Sequence, residues 1–201
     1  VWFHIRPAFQ YGRTDERGSS NSEVYREGAF LNSSSNATRS LSARKYASID
    51  SDVTFRELWG KNDRTFYVGL LAVYSKKDGE STEISDLVTS SGTESRSMQY
   101  NSDGTTRWIS GELRYSEPLG EKWTLSASAE LTWQRRDNVR DAFDAGGRND
   151  YYSSLSNSLS MGQDYGLTAQ YKFGEKSWLT VGTKLSGLLN ETFSKTYGIE
   201  D

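Results

Sequence analysis

The chain has no cysteine, one histidine, two prolines and two methionines in 201 residues. Without cysteine there is no disulfide frame and no thiolate metal site. A lone histidine, His4, gives no multi-histidine metal cluster to build. No run approaches the ~18 consecutive apolar residues of a membrane helix. No basic excess exists either: the net charge is −3 and the pI about 5.4, whereas a nucleic-acid-binding domain commonly exceeds a pI of about 9. No nucleic acid partner is expected. GxGxxG, GxSxG and P-loop patterns are absent, so no cofactor is expected and no nucleophile can be assembled from one histidine.

What the chain does have is aromatic residues: six Trp, twelve Tyr and eight Phe, 13% in all. Disordered chains are poor in these, so an ordered fold is expected. With glycine counted, roughly 43% of residues are apolar, slightly under the ~45–50% of soluble domains. The mean hydropathy of −0.74 reads as water-soluble. That reading fails for one class of protein, the membrane β-barrel, in which half of every strand faces a polar lumen.

Period-two alternation is the dominant pattern. In 123–133, Trp123, Leu125, Ala127, Ala129, Leu131 and Trp133 share one face, opposite Thr124, Ser126, Ser128, Glu130 and Thr132. A helix would smear both sets around its circumference. The same alternation predicts strands over 1–12, 47–59, 64–76, 107–116, 163–173 and 178–188. Their apolar sides include Phe3 and Ile5, Ile49 and Val53, Phe66 and Leu70, Ile109 and Leu113, Leu167 and Ala169, and Val181 and Leu185. Their polar sides include Asp50, Asp52, Arg56, Glu112, Arg114, Lys172 and Lys184. The first of these strands begins at Val1 with no methionine or leader before it, which reads as the middle of a strand and a processed or truncated front.

Between the seven strands, short links (60–63, 117–122, 174–177) alternate without exception with long ones (13–46, 77–106, 134–162). A soluble sandwich has no reason to sort loop length by end, whereas short periplasmic turns against long extracellular loops is the outer-membrane pattern. The long links are rich in Ser, Asn, Asp, Arg and Gly, and parts of them are expected to extend the strands. Aromatics flank the short links: Trp59, Phe66, Tyr67, Tyr115, Trp123, Tyr171, Phe173 and Trp178. Such rings favour a membrane–water interface. Trp133 lies ten steps from Trp123, roughly 25 Å along the normal at a tilt near 40°, the height of an apolar band. Tyr74 and Met161 are expected at similar depth.

The reading is an all-β, antiparallel transmembrane β-barrel segment of about seven long strands, one unit over 1–201, in the outer membrane of a Gram-negative bacterium. Leu125, Ala127, Ala129, Leu131, Leu167, Ala169, Val181 and Leu185 are expected to face lipid. Trp59, Phe66, Tyr115, Trp123, Tyr171, Phe173 and Trp133 are expected in aromatic girdles. Asp50, Asp52, Arg56, Glu112, Arg114, Glu130, Lys172 and Lys184 are expected to face the lumen. Seven is an odd number for a single-chain barrel, and an open sheet would leave bare edges in lipid. More strands, from this or another chain, are therefore expected.

At Tyr115-Ser-Glu-Pro-Leu-Gly-Glu-Lys-Trp123, a strand ends in an aromatic and Glu-Pro-Leu, turns tightly, and restarts on an apolar residue. This resembles the barrel domain of Bacteroidetes outer-membrane proteins related to TonB-dependent receptors. The turn from Gly60 to Thr65, with Asp-Arg-Thr before an apolar strand, resembles another turn of that family. The resemblance implies about twenty-two strands, an upstream plug domain, a TonB-contacting segment, a surface lipoprotein as partner, and uptake of a small ligand. None of the plug lies in this chain, and Gly198–Asp201 lacks the terminal aromatic strand of such barrels.

Against these stand plainer and rival readings. The charged lumen residues suit a solvated or salt-bridged wall as well as a ligand- or plug-contacting patch. Asp137, Asp141, Asp144 and Asp150 near Gly146 and Gly147 could suggest calcium, but EF-type spacing is missing and Arg140 and Arg148 interrupt the group. No metal and no enzymatic activity are expected. A structural or assembly barrel shares every wall feature. An outer-membrane enzyme would need the acidic 137–150 loop to supply its carboxylates. A soluble secreted β-sandwich would pack its apolar faces together.

Overall fold

A computed structural model describes residues 1–27, 29–56, 64–89 and 91–197. Trp59 and the expected 60–63 turn lie outside these residues, as does the 198–201 end. The described chain is one antiparallel sheet: β1 (Trp2–Arg26), β2 (Ala29–Arg56), β3 (Thr65–Thr89), β4 (Gly92–Leu119), β5 (Trp123–Asp144), the two-residue β6 (Gly147–Arg148), β7 (Ser154–Gly174) and β8 (Ser177–Thr196). Sequential strands pair in the order β1-β2-β3-β4-β5-β7-β8, with β6 folded back on β5. One 3₁₀ turn, Asp150–Tyr152, precedes β7. No α-helix occurs among the described residues.

The seven long strands match the alternating segments, but they run much further. The expected long links 13–46 and 77–106 are mostly continuous ladder, from Arg13↔Ala43 to Arg26↔Ala29 and from Lys77↔Gly104 to Thr89↔Gly92. The physical reason is that backbone pairing does not require an apolar face. Where both faces meet water, the alternation of hydrophobic residues stops and the hydrogen-bond ladder continues. The 28 residues of β4 span about 90 Å, nearly three times the path across an apolar band roughly 25 Å tall at a 40° tilt.

Turn chemistry fixes the hairpins. Glu27 has φ +52°, a left-handed position that a non-glycine residue adopts rarely and singly. Gly120 has φ +78° in the three-residue turn between Leu119 and Trp123, where a side chain would be strained. Both prolines avoid doubly paired positions. Pro7 sits on the edge strand β1, and Pro118 lies past Ser116, where the β3 ladder ends, as a residue without an N–H requires.

Register brings the separate alternations into one pattern. Phe3, Val53, Val68, Leu113, Ala129, Tyr165 and Leu185 form a single row of directly opposed residues across all seven strands. The next row, one residue along, reads His4, Asp52, Gly69, Glu112, Glu130, Asp164 and Ser186. A slip of one residue in any pair would have mixed the two.

The sheet is curled, with the polar side inside. Thr14 and Glu16 of β1 line the same cavity as Ser154 and Ser156 of β7, five strands away. A flat sheet would hold those strands roughly 24 Å apart. Asp52 and Ser110, on the polar face, are only 8% and 9% exposed, although no second layer packs over the described sheet.

Candidate functional site: the two faces of the sheet

The convex face carries the apolar members of every strand. Over 1–11, 47–55, 66–74, 109–115, 123–133, 161–171 and 179–189 its side chains include no charge, and its polar members are Ser51, Gln163, Thr183 and hydroxyl- or indole-bearing rings. Leu125, Ala127, Ala129, Leu131, Leu167, Ala169, Val181 and Leu185 all lie on it. Leu167 is 62% exposed and Leu185 71%. At its short-turn margin stand Phe66, opposite Phe55 and Tyr115, and Trp123, whose ring lies 4.7 Å from that of its partner Tyr171. At the other margin Trp133 opposes Met161 directly, and Tyr74 sits one pair beyond. Charges begin in the row of Tyr74, with Arg107 and Arg135, and continue with Lys76, Asp103 and Asp137.

Two aromatic positions differ from the expected girdle. Phe173 falls in the bulge between Lys172 and Gly174 and has no ladder partner, so pairing does not assign it a face. Trp178 opposes Lys172, which places it on the polar face and not among the convex-face aromatics. Trp178 thus keeps the parity of Thr180, Lys184 and Ser186 along β8.

On the concave face the expected charged residues Asp50, Asp52, Arg56, Glu112, Arg114, Glu130, Lys172 and Lys184 all share one side. Four carboxylates, Asp52, Glu112, Glu130 and Asp164, occupy one row, with cations one row to either side. Arg6 reaches Asp50 at 3.0 Å and Asp52 at 3.4 Å, and Lys184 reaches Asp164 at 3.1 Å. Arg114 pairs with Glu112 and lies over the Tyr67 ring. Ser110 donates to Glu130 at 3.1 Å. His4, which lacks a nearby carboxylate in sequence, meets Asp52 across the β1–β2 ladder at 3.0 Å. Gly69 keeps this row open, since a Cβ there would lie 2.7 Å from the Tyr67 hydroxyl. Arg56 and Lys172 form no ion pair among the described residues. Sequence alternation had put Asp164 on this face without ranking it; its partner Lys184 is 20 residues on, visible only through the β7–β8 register.

Beyond the convex apolar band, the concave face deepens into a trough of about 600 Å³ lined by six strands. Its inward charged groups are Arg44, Lys77, Arg140 and Glu16, set among serines and threonines. Of these only Arg140 was named from sequence, as an interruption of the acidic group, because all four fall in stretches without hydrophobic alternation.

The trough ends under an inturned segment. The backbone of Asn149 donates to the Ala142 carbonyl at 2.7 Å, Ser153 Oγ accepts from the Ala142 N–H at 2.9 Å, and Ser153 Oγ donates to the Asn149 carbonyl at 2.8 Å. Among the described residues, the buried apolar cluster is Met98, Tyr100 and Ala142, of which Ala142 is bonded directly to this segment. Arg140 stacks 3.9 Å from the Tyr100 ring centre and Arg96 4.2 Å from that of Tyr152. The acidic residues of this segment go to separate partners. Arg148 takes Asp141 at 2.9 Å and Asp150 at 3.0 Å, and Arg135 takes Asp137 at 3.1 Å. Asp144 accepts from the Asn149 amide at 2.6 Å and the Gly146 N–H at 2.8 Å, which holds its carboxyl below the usual range. Among the described residues no three His, Asp or Glu side chains could hold a metal.

These features define a class of structure: a curled antiparallel meander whose convex face carries a charge-free apolar band and whose concave face is lined by ion pairs. No family model matches the chain, and no curated protein matches it. Among solved structures, the alcaligin outer membrane receptor FauA from Bordetella pertussis aligns at 14% identity and a TM-score of 0.32. The alignment covers 96% of this chain and 37% of that one. A likeness of that size carries no weight for function.

Proposed function

We propose that these strands form part of the wall of a Gram-negative outer-membrane β-barrel that takes up a small solute. The observation that supports this best is the charge-free convex band, continuous over seven strands and uncovered by protein. In water such a face would be an aggregation surface far larger than monomers tolerate. In a bilayer it is the ordinary outer face of a barrel, with the charged row facing a wet lumen. The free edges of β1 and β8 call for further strands, from the same polypeptide or another copy, because unpaired backbone is not tolerated in lipid. By the resemblance to TonB-dependent receptors, energy for uptake would reach a plug outside these residues through TonB, and a surface lipoprotein would be a partner. The wall itself does no covalent chemistry.

The absence of cysteine makes a labelling test clean. Ala127→Cys and Leu167→Cys on the convex face should resist a water-soluble maleimide in intact outer membranes and react after solubilisation and unfolding. Ser126→Cys and Thr168→Cys, on the concave face, should react in the membrane. Equal reaction of both sets, or a protein that stays soluble and monomeric without detergent, would refute the proposal.

A further inference from the structure

Arg44 and Lys77 oppose each other directly across the β2–β3 ladder on the concave face. Like charges in that position destabilise a sheet unless something compensates them. Nothing among the described residues does: Arg44 donates to the Ser75 hydroxyl at 3.2 Å, and Lys77 forms no ion pair. The adjacent like-charged pair on the convex face, Lys45 opposite Lys76, is treated differently. There Lys76 is held by Asp103 at 2.8 Å and Asp78 at 3.3 Å. Lys76 of the convex pair is thus compensated, and the concave pair Arg44 and Lys77 is not.

The trough adds a third cation, Arg140, and two acids: Glu16, which forms no ion pair among the described residues, and Asp103, which is already paired with Lys76. The remaining inward side chains are mostly short and hydroxylated, among them Ser40, Ser42 and Ser102. No aromatic ring lines it. Its volume of about 600 Å³ falls within the ~300–1,000 Å³ of small-molecule sites. A hydrophobic solute finds no aromatic surface there, and a cationic one meets a single unpaired carboxylate, Glu16, against three cations. A carboxylate or phosphate meets two facing cations, and hydroxyls meet the serines.

We propose that this trough binds an anionic, hydroxyl-rich solute, with Arg44 and Lys77 holding its anionic group and Arg140 a second. This rests on the barrel reading, since the concave face must be a water-filled lumen. The site would lie on the side of the apolar band away from the short turns.

The test uses the whole protein in detergent micelles, checked first for heat-modifiable migration, with calorimetric titration of three probes of similar size. Trigalacturonate is anionic, maltotriose neutral and the glucosamine trimer cationic. Trigalacturonate should bind at least about tenfold tighter than maltotriose at low salt, and more weakly as salt screens the site. The double variant Arg44→Gln/Lys77→Gln should lose about tenfold or more for trigalacturonate, and Glu16→Gln should gain a few-fold. Heat-modifiable protein that binds no trigalacturonate, binds it no better than maltotriose, or binds it unchanged in the double variant overturns the site and leaves the barrel standing. Protein with no heat-modifiable form overturns the barrel, and this site with it.

Discussion

The two ends of the sheet obey different solvent rules. At the end beyond Trp133 and Tyr74, apolar side chains are hidden under protein: Met98 is 3% exposed, and Ala142, bonded to the turn from Asn149 to Ser153, is fully buried. Across the band from Trp123 to Trp133, Leu125, Leu131, Leu167 and Leu185 are 44%, 56%, 62% and 71% exposed, and no apolar residue of the convex band is buried among the described residues. One chain does not follow two packing rules in one solvent. The covered end matches water, where an exposed apolar side chain is unfavourable by roughly 25 cal/mol per Å². The bare band matches hydrocarbon, where lipid supplies the missing contacts. On the proposed barrel reading, the solvent boundary falls at the row where Arg107 and Arg135 oppose each other.

The largest effect should come from charging the bare band. Leu167→Arg at mid-band is expected to destabilise the inserted protein by about 2–4 kcal/mol and to deplete the heat-modifiable form in outer-membrane fractions. Ser126→Arg, one residue from the convex Ala127, should leave assembly near wild type. If both variants assemble equally, the two-solvent account fails.

The covered end should respond in the opposite sense to cavity formation. Met98→Ala removes a side chain from the buried cluster to which the inturned segment is bonded and should cost about 2–5 kcal/mol locally. The readout is protease cleavage near Arg148, which should accelerate while membrane insertion stays intact. Cleavage unchanged from wild type would mean that the segment is held by its hydrogen bonds alone.

Most of the band was legible in the sequence, because an apolar face opposite a polar one writes a period of two into every strand. Leu125 to Leu131 and Glu112 to Arg114 could be sorted by counting. The ladders above the band were not legible as such. Water on both sides leaves Ser33 to Ser42 with no preferred face, so the stretch reads as loop while its backbone pairs throughout. Cross-strand partners were equally hidden, since Asp52 finds His4 and Arg6 only through a register spanning 48 and 46 residues. Phe173 shows a third kind of loss: it is the bulged residue, so counting along β7 assigns it a face that pairing does not.

The smallest expected effect is on pH. Asp144 is exposed, and hydrogen bonds from Asn149 and Gly146 lower its pKa in the folded turn. A depressed carboxyl adds stability that is complete above its unfolded value of about 3.9 and disappears as pH falls through the lower folded value. The inturned segment should therefore hold steady from neutral pH down to about 4 and loosen only below it, seen as faster amide hydrogen exchange at Asn149 and Ser153. Asp144→Asn should shift that loosening to the neutral range, because the neutral amide accepts the same two donors more weakly. Leu167→Arg protein should show the same pH response wherever it folds, since the band and the tip lie in different solvents. A pH response that tracks the band variant instead would mean that the two regions unfold together, and that the boundary drawn at Arg107 and Arg135 does not divide them.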